Sequence, residues 1–574
     1  MKLLRLLSRR PRPQEIDPDE ILLDATNLPA LNESQFEGRF EKPVARSALI
    51  LLGVAAALLT LAGLGKLWML QVVAGGEYAR LSENNRLRHS ILFPARGVLY
   101  DRAGFSLVEN EQGPEDEFPR RRYTDLPGLG HLLGFVSYPQ KDRSGFYFQE
   151  ASAGKDGAEL VFDRELSGRP GLTLVETDAA GAIRSESVLE PPEEGENLTL
   201  SVDAEMTAAL HRAIASVARD RGFQGGAGAL MDVATGELLA LTSFPEYRPG
   251  ELSDGKDAEL IASYTADRAT PFLNRAVMGL YAPGSIVKPF VALGALDQNL
   301  IDPRATIVST GELRVPNPYA PGQFSVFKDW RAHGVVDMRR ALAVSSDVYF
   351  YVVGGGFGNQ RGLGINNMDK YFGLFGLGDA TGIDLPAEED GVIPTPTWKE
   401  AYFPGDPWRV GDTYNTAIGQ YGMQVTPLQM LRATAALANG GALLTPTVRK
   451  REVPASSTPV PIAAEHFTVV REGMRLAVTE GTAAGLAIPG MKIAAKTGTA
   501  QVGARNEYVN SWVIGFFPYE EPRYAFVVLM DRGPAANLVG AVSVARQFFD
   551  WLVSQKPEYA HGEAASAPST AQGD

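Results

Sequence analysis

The chain has 574 residues, 45% of them hydrophobic and 21% charged, an ordinary globular balance with enough length for two or more domains. Its net charge of −14 argues against a nucleic-acid partner, because phosphate binding needs clustered lysines and arginines. The absence of cysteine removes disulfides, thiolate nucleophiles and cysteine-based zinc sites.

Residues 47–65, SALILLGVAAALLTLAGLG, form an uncharged run that continues past Lys66 as LWMLQVV. A helix rises about 1.5 Å per residue, so ~20 residues cross the ~30 Å hydrocarbon core of a bilayer. Lys66 can snorkel to the interface, and Trp68 suits the headgroup belt. The stretch before this run is long for a cleaved signal peptide and no small-x-small site follows, so it reads as an uncleaved anchor. The basic residues of MKLLRLLSRRPR, with Lys42 and Arg46, place residues 1–46 in the cytoplasm and everything after the span outside.

Residues 71–200 carry short strand-like runs broken by Gly and Pro, such as RGVLYDRAG and ENLTLSVD, and predict an irregular β-rich module. From 204 to 220 the pattern is an amphipathic helix. Residues 226–241, GAGALMDVATGELLAL, predict two strands around a turn. Helical stretches follow near 285–297, 338–352 and 425–439. After 490 come three strand candidates, MKIAAKTGTAQVG, NSWVIGFFP and RYAFVVLMD, then a helix over 541–555. Helices grouped beside an antiparallel sheet predict an α+β domain. The small, polar residues 557–574 predict a disordered tail.

Pro283-Gly284-Ser285, followed by IVKPFVALGAL, reads as a helix start that sets Ser285 and Lys288 on one face. Pro289 is tolerable there, because first-turn N–H groups have no intrahelical partner. A serine hydroxyl needs a base to become a nucleophile, and a lysine in a low-dielectric pocket beside another cation can lose its proton. Ser285 with a neutral Lys288 would form such a pair without histidine. The six histidines (His89, His131, His211, His333, His466 and His561) lie far from Ser285 in sequence, which leaves a triad open because triads assemble in space. Ser-x-x-Lys alone carries little information. Its weight comes from Ser345-Ser346-Asp347 and Lys496-Thr497-Gly498-Thr499, which complete the ordered three-motif set of serine acyl-transferases that react with penicillin. Taken singly, Ser345 would read as a helix N-cap, Ser346 as a surface residue and Lys496 as part of a strand end.

With these motifs, and with PARGVLYDRAG, GAELVFDRELSGRPG, NRAVMGLYAPGSIVKPF, TGIDLPAE and GQYGMQVTPLQM around them, the chain resembles a class B penicillin-binding protein. Among these it is most similar to the elongation-type penicillin-binding protein 2, because the second motif ends in Asp347 where division-type relatives usually have Asn. The resemblance implies a cytoplasmic tail (1–46), a transmembrane anchor (47–70), a pedestal or dimerisation-type domain (71–200) and a transpeptidase domain (201–556) with an antiparallel sheet, flanking helices and an all-helical subdomain. It implies a single-pass protein of the inner membrane whose catalytic domain is extracytoplasmic. It further implies a D,D-transpeptidase in which Ser285 attacks D-Ala-D-Ala stem peptides, Lys288 accepts its proton and Ser345 relays protons to the leaving group. Asp347 would orient the network, while Lys496, Thr497, Gly498 and Thr499 would bind the substrate carboxylate and, with Ser285, shape the oxyanion hole.

Expected partners are peptidoglycan stem peptides, β-lactams, the membrane, and a RodA-type glycosyltransferase with the elongation machinery. No cofactor is expected. Some members carry a metal beside the second motif, held by an Asp, a His and a Cys. Here Asp329 and His333 correspond, but Ser346 takes the Cys position; a hard-ligand site is conceivable, yet loss of the thiolate disfavours zinc, so no metal is expected and the first two read as polar residues on a surface loop. Tyr421 also departs from the relatives, which often have Gly after the Gly-Gln pair. Competing readings are a division-type transpeptidase, a β-lactamase or D,D-carboxypeptidase, and a β-lactam sensor.

Overall fold

The computed structural model describes residues 46–84, 87–114, 116–143, 147–177, 183–317, 320–537 and 539–560. The expected cytoplasmic tail and residues 561–574 lie outside the described residues. The chain divides into two compact units, one of residues 1–88 with 176–185 and the other of residues 89–175 with 186–574.

The first unit holds helix α1 (Arg46–Trp68), which runs through a short π-helical turn at Met69–Val73 into helix α2 (Gly75–Asn84). Leucine, alanine and valine cover every side of α1, and its leucines are exposed. A helix apolar all round needs a core or a bilayer to cover it. The 27 residues of Ser47–Val73 are long and apolar enough to cross a membrane, and none of their most apolar stretch is buried in protein.

The second unit opens on a small four-stranded sheet. Its strands are β1 (Leu99–Tyr100), β2 (Ser106–Glu111), β3 (Arg120–Tyr123) and β4 (Leu198–Thr199), in the order β4-β1-β2-β3. Beside it the fully buried carboxylate of Glu159 lies between Arg96 (2.5 Å) and Arg121 (2.7 Å), and Asp163, 2.7 Å from Arg96, supplies the second negative charge of the cluster.

Helix α3 (Ala204–Arg221) starts at Asp203, whose side chain accepts the Met206 N–H, and stops at Gly222 in the left-handed conformation. Strands β5 (Gly225–Asp232) and β6 (Leu238–Phe244) follow. Next come helices α4 (Lys288–Asp297), α5 (Met338–Val344), α6 (Asp347–Gly355), α7 (Pro427–Ala438) and α8 (Ala464–Glu480). Strands β7 (Ala494–Val502), β8 (Tyr508–Phe517) and β9 (Tyr524–Pro534) and helix α9 (Ala541–Gln555) complete the unit.

The main sheet is antiparallel throughout, in the order β6-β5-β9-β8-β7. Strand side chains alternate between faces, and the two cores follow that alternation. Phe526, Val528 and Met530 pack with α3 and α9, through Ile214, Val544 and Phe549. Val527 and Leu529 point the other way, into the core shared with α4 and α7. The sheet is thus covered on both faces by helices, the α+β arrangement that the sequence predicts.

Two details differ from the sequence reading. The expected continuous helix over 338–352 is broken at Ser345, which takes φ +57° and ψ +42°. At the C-terminus, Pro557–Ala560 form a helical turn where a disordered tail is expected, because Tyr559 is buried against Tyr524.

Candidate active site

The turn that carries Ser285 is fixed by backbone contacts before any side chain acts. Tyr281 and Val425 exchange backbone hydrogen bonds, and the Gly284 N–H donates to the Gly419 carbonyl at 2.9 Å. Gly284 sits at φ +58°, and a Cβ there would lie 2.8 Å from the Thr499 carbonyl oxygen, so only glycine fits. Residues Gly284–Val287 then form a 3₁₀ turn leading into α4. Positions i and i+3 eclipse in that geometry, and Lys288 follows Ser285 at that interval as the first residue of α4. Gly284, Ile286 and Val287 are buried, while Ser285 keeps partial exposure.

Strand β7 forms one edge of the main sheet and lies against this turn. A Cβ at Gly498 would stand 2.8 Å from the Pro283 carbonyl oxygen and 2.9 Å from Ile286 Cγ2. The glycine of the third motif therefore lets the strand and the turn that bears Ser285 touch. Lys496 is buried, Thr497 is half-buried with its hydroxyl 2.6 Å from that of Thr482, and Thr499 is exposed.

The second motif supplies the link. Helix α5 ends at Ser345 and α6 begins with Ser346 as its N-cap, accepting the Tyr349 N–H. This sharp break directs two consecutive turns at the same point. Lys288 Nζ donates to the Ser345 carbonyl (2.9 Å), to Ser345 Oγ (3.3 Å) and to Asp347 Oδ1 (2.6 Å). Its three donors are thereby used, and the Phe350 ring lies 5.5 Å away. Lys496 Nζ donates to Ser345 Oγ (2.7 Å) and to the Thr497 carbonyl (2.7 Å). Ser345 Oγ therefore stands between two lysines that have no solvent exposure.

Burial, and next the charge of Lys288, hold the Lys496 amine well below its ordinary range, with Asp347 opposing them. The Asp347 carboxylate sits against Lys288 at 2.6 Å, and Lys496 has no such carboxylate among its hydrogen bonds. The hydrogen bonds of His131, His211 and His333 go to Pro271, Thr242, Asp329 and Arg331, and none reaches Ser285 or either lysine.

Three residues read from sequence as surface groups are interior. Ser346 is fully buried, and the Asp329 and His333 side chains are almost completely covered. Asp329 Oδ2 accepts from Ser346 Oγ (2.9 Å), the Val348 N–H (3.0 Å) and Ser309 Oγ (3.2 Å). Oδ1 accepts the Trp330 N–H (2.8 Å) and lies 3.3 Å from His333 Nε2. Burial would raise the Asp329 pKa, but the N–H groups of Val348 and Asp347, the Ser346 hydroxyl and Lys288 together bring it below the usual value. These residues do not fit a zinc site. The hydroxyl of Ser346 is spent on Asp329, both carboxylate oxygens are engaged, and the described residues contain no group of three His, Cys, Asp or Glu suited to an ion.

Tyr421 occupies φ +62°, the left-handed region that favours glycine. Its ring is held between Trp398 and Trp408, with centroids 6.1 and 5.7 Å away. The residues that sequence reasoning missed are Thr482, Gly419 and the buried role of Asp329. Only a fold-level contact could have revealed them.

Residues 226–550 match the penicillin-binding protein transpeptidase domain, and residues 115–200 match the penicillin-binding protein dimerisation domain. The peptidoglycan D,D-transpeptidase MrdA of Acinetobacter baumannii is 29% identical over 589 residues, covering 85% of this chain and 84% of that protein. The Helicobacter pylori penicillin-binding protein PBP2, solved in complex with MreC, superposes with a TM-score of 0.68 at 25% identity, covering 82% of this chain and 99% of the solved one. A chain from a peptidoglycan synthase complex, solved to show how polymerisation and crosslinking are coordinated, gives 0.68 at 26% identity, covering 88% and 98%. The described site and these matches agree, and the chain belongs to the class B penicillin-binding proteins, with a dimerisation module ahead of its transpeptidase domain.

Proposed function

We propose that this chain is a membrane-anchored peptidoglycan D,D-transpeptidase that cross-links stem peptides during cell elongation. The observation that carries the reading is Ser345 Oγ held between Lys496 Nζ (2.7 Å) and Lys288 Nζ (3.3 Å), beneath the turn that bears Ser285. Lys288 acts as the base in its deprotonated form, and Ser345 Oγ links it by hydrogen bonds to the buried Lys496. The Lys288 amine takes the Ser285 proton as Oγ attacks the D-Ala-D-Ala carbonyl. Collapse of the tetrahedral intermediate releases the terminal D-Ala, which receives its proton through Ser345. The amine of a second stem peptide then attacks the acyl-enzyme, closing the cross-link and regenerating Ser285.

The Ser285 and Thr499 N–H groups hold the oxyanion, and such a donor is worth about 10²–10³ in rate. Lys496, Thr497 and Thr499 hold the substrate carboxylate along the edge strand. β-Lactams acylate the same serine in place of the D-Ala-D-Ala amide.

In this reading residues 47–70 anchor the chain in the inner membrane, with 1–46 cytoplasmic and the domains 71–200 and 201–556 outside. The pedestal would engage a RodA-type glycosyltransferase and the elongation machinery. The complexes of the solved relatives with MreC and within a peptidoglycan synthase support this assignment. Asp347 favours the elongation branch over the division branch.

Fluorescent-penicillin labelling tests the chemistry. Label should attach to the intact chain and be lost in Ser285→Ala; retention in the variant would refute the nucleophile. Depletion should give rounded cells, and filaments would point to the division branch instead.

A further inference from the structure

Asp329 lies far from Ser345 in sequence, yet its carboxylate grips the turn on which the lysine relay depends. Its Oδ2 accepts from Ser346 Oγ (2.9 Å) and from the Val348 N–H (3.0 Å), the residues on either side of Asp347. Ser309 Oγ adds a third donor at 3.2 Å. The other oxygen is held by the Trp330 N–H (2.8 Å) and by His333 (3.3 Å), so the carboxylate cannot swing away. The turn it holds is a strained one. Ser345 adopts φ +57°, a conformation that costs a residue with a Cβ and persists only where its surroundings impose it. From the same turn Ser345 Oγ reaches both lysines, and Asp347 Oδ1 reaches Lys288 at 2.6 Å. Moving Ser346 would shift both groups relative to Lys288 together.

We infer that Asp329 is a positioning residue of this transpeptidase, acting through Ser346 and the Val348 N–H to set the Ser345–Asp347 turn against Lys288, with no metal ion taking part. The donor set around Asp329 leaves no place for a metal ion. A bridging cation would need the lone pairs that Oδ2 already gives to three donors, and a neutral hydroxyl at 346 is a poor ligand. The hydrogen-bonded cluster performs the fastening itself. A displacement of the order of 1 Å in a reacting group costs about 10²-fold in rate, so the effect falls on the chemical step rather than on binding.

The inference rests on acylation at Ser285, and the test separates the two claims. The full-length chain in detergent is mixed with a fluorescent penicillin, and the acylation rate constant is resolved from the dissociation constant of the preceding non-covalent complex. Ser346→Ala, which removes one hydroxyl, should slow acylation by about 10-fold, and Asp329→Asn by about 100-fold. In both the dissociation constant should stay within about twofold, and Ser346→Ala should melt close to the unsubstituted chain. Treatment of the unsubstituted chain with a strong chelator should leave the rate unchanged. The positioning role is overturned if folded Ser346→Ala and Asp329→Asn acylate at the full rate, or if their loss lies wholly in binding. The metal-free claim is overturned if chelation abolishes acylation and a divalent ion restores it. An unsubstituted chain that never labels at Ser285 would overturn both this inference and the reading beneath it.

Discussion

Asp347 places a carboxylate oxygen 2.6 Å from the Nζ of Lys288, at a point where the lysine side chain has no contact with solvent. A buried ion pair adds little net stability over an apolar pair, but removing one partner strands the other charge. Asp347→Ala should therefore lower unfolding stability by roughly 3–5 kcal/mol, whereas Asp347→Asn, which keeps an oxygen acceptor, should cost less. Denaturant titration of both variants checks this. Equal losses would mean that the retained oxygen acceptor contributes nothing and that the lost charge accounts for the whole effect.

Lys496 has the opposite setting, two lysines deep and without a carboxylate bond of its own. Its folded pKa is held well below 10.5 by burial and by Lys288. Below the unfolded value the unfolded chain binds a proton that the folded chain rejects. This residue's contribution is therefore most favourable above 10.5 and is lost as pH falls toward the folded value. Stability of the intact chain should rise with pH across that window, by up to about 1.4 kcal/mol per pH unit, relative to Lys496→Met. Parallel stability–pH curves for the two proteins would contradict it.

Gly498 tests the fit between the edge strand and the turn that bears Ser285. An added methyl would stand 2.8 Å from the Pro283 carbonyl oxygen and 2.9 Å from Ile286 Cγ2, both on fixed backbone or core groups. Gly498→Ala should cost about 1–3 kcal/mol through overpacking. It should also slow penicillin acylation by about 10²-fold, because the displaced group is the turn bearing Ser285. Acylation at the full rate would show that strand and turn adjust independently.

His131 provides an acid-side test away from the chemistry. Burial first, and the charges of Arg275 and His211 after it, push its pKa down to about 3, although the Pro271 carbonyl opposes them. The folded chain keeps this ring neutral while the unfolded chain protonates it near 6.5. Stability should therefore fall as pH drops from 6.5 toward 3, and His131→Gln should flatten that limb by up to about 1.4 kcal/mol per pH unit. An unchanged limb would place the acid sensitivity elsewhere.

Much of this was legible in the sequence, for identifiable reasons. The edge strand, β8, β9 and the closing helix announce themselves through alternating or periodic apolar residues, and the uncharged run from Ser47 needs only its length. The three motifs mark Ser285, Ser345 and Lys496 because their spacing is read as a set. What remained hidden depends on contacts distant along the chain. The N-cap reading of Ser345 marks a boundary one residue early, but nothing local shows its left-handed conformation, which is held by the two lysines and by the cap at Ser346. Asp329 and His333 sit in a polar stretch that looks solvated, and only the return of the chain at Ser346 covers them. The lowered pKa of Lys496 was likewise unreadable, because it turns on the burial of that amine and on its nearness to Lys288.

The central claim is a covalent bond at one atom. The intact chain should be reacted with penicillin and digested, and the adduct-bearing peptide sequenced by mass spectrometry. The account predicts a single penicilloyl adduct on Ser285, absent from Ser285→Ala and strongly reduced in Lys288→Ala. An adduct on any other residue, or an undiminished adduct in Ser285→Ala, would contradict it.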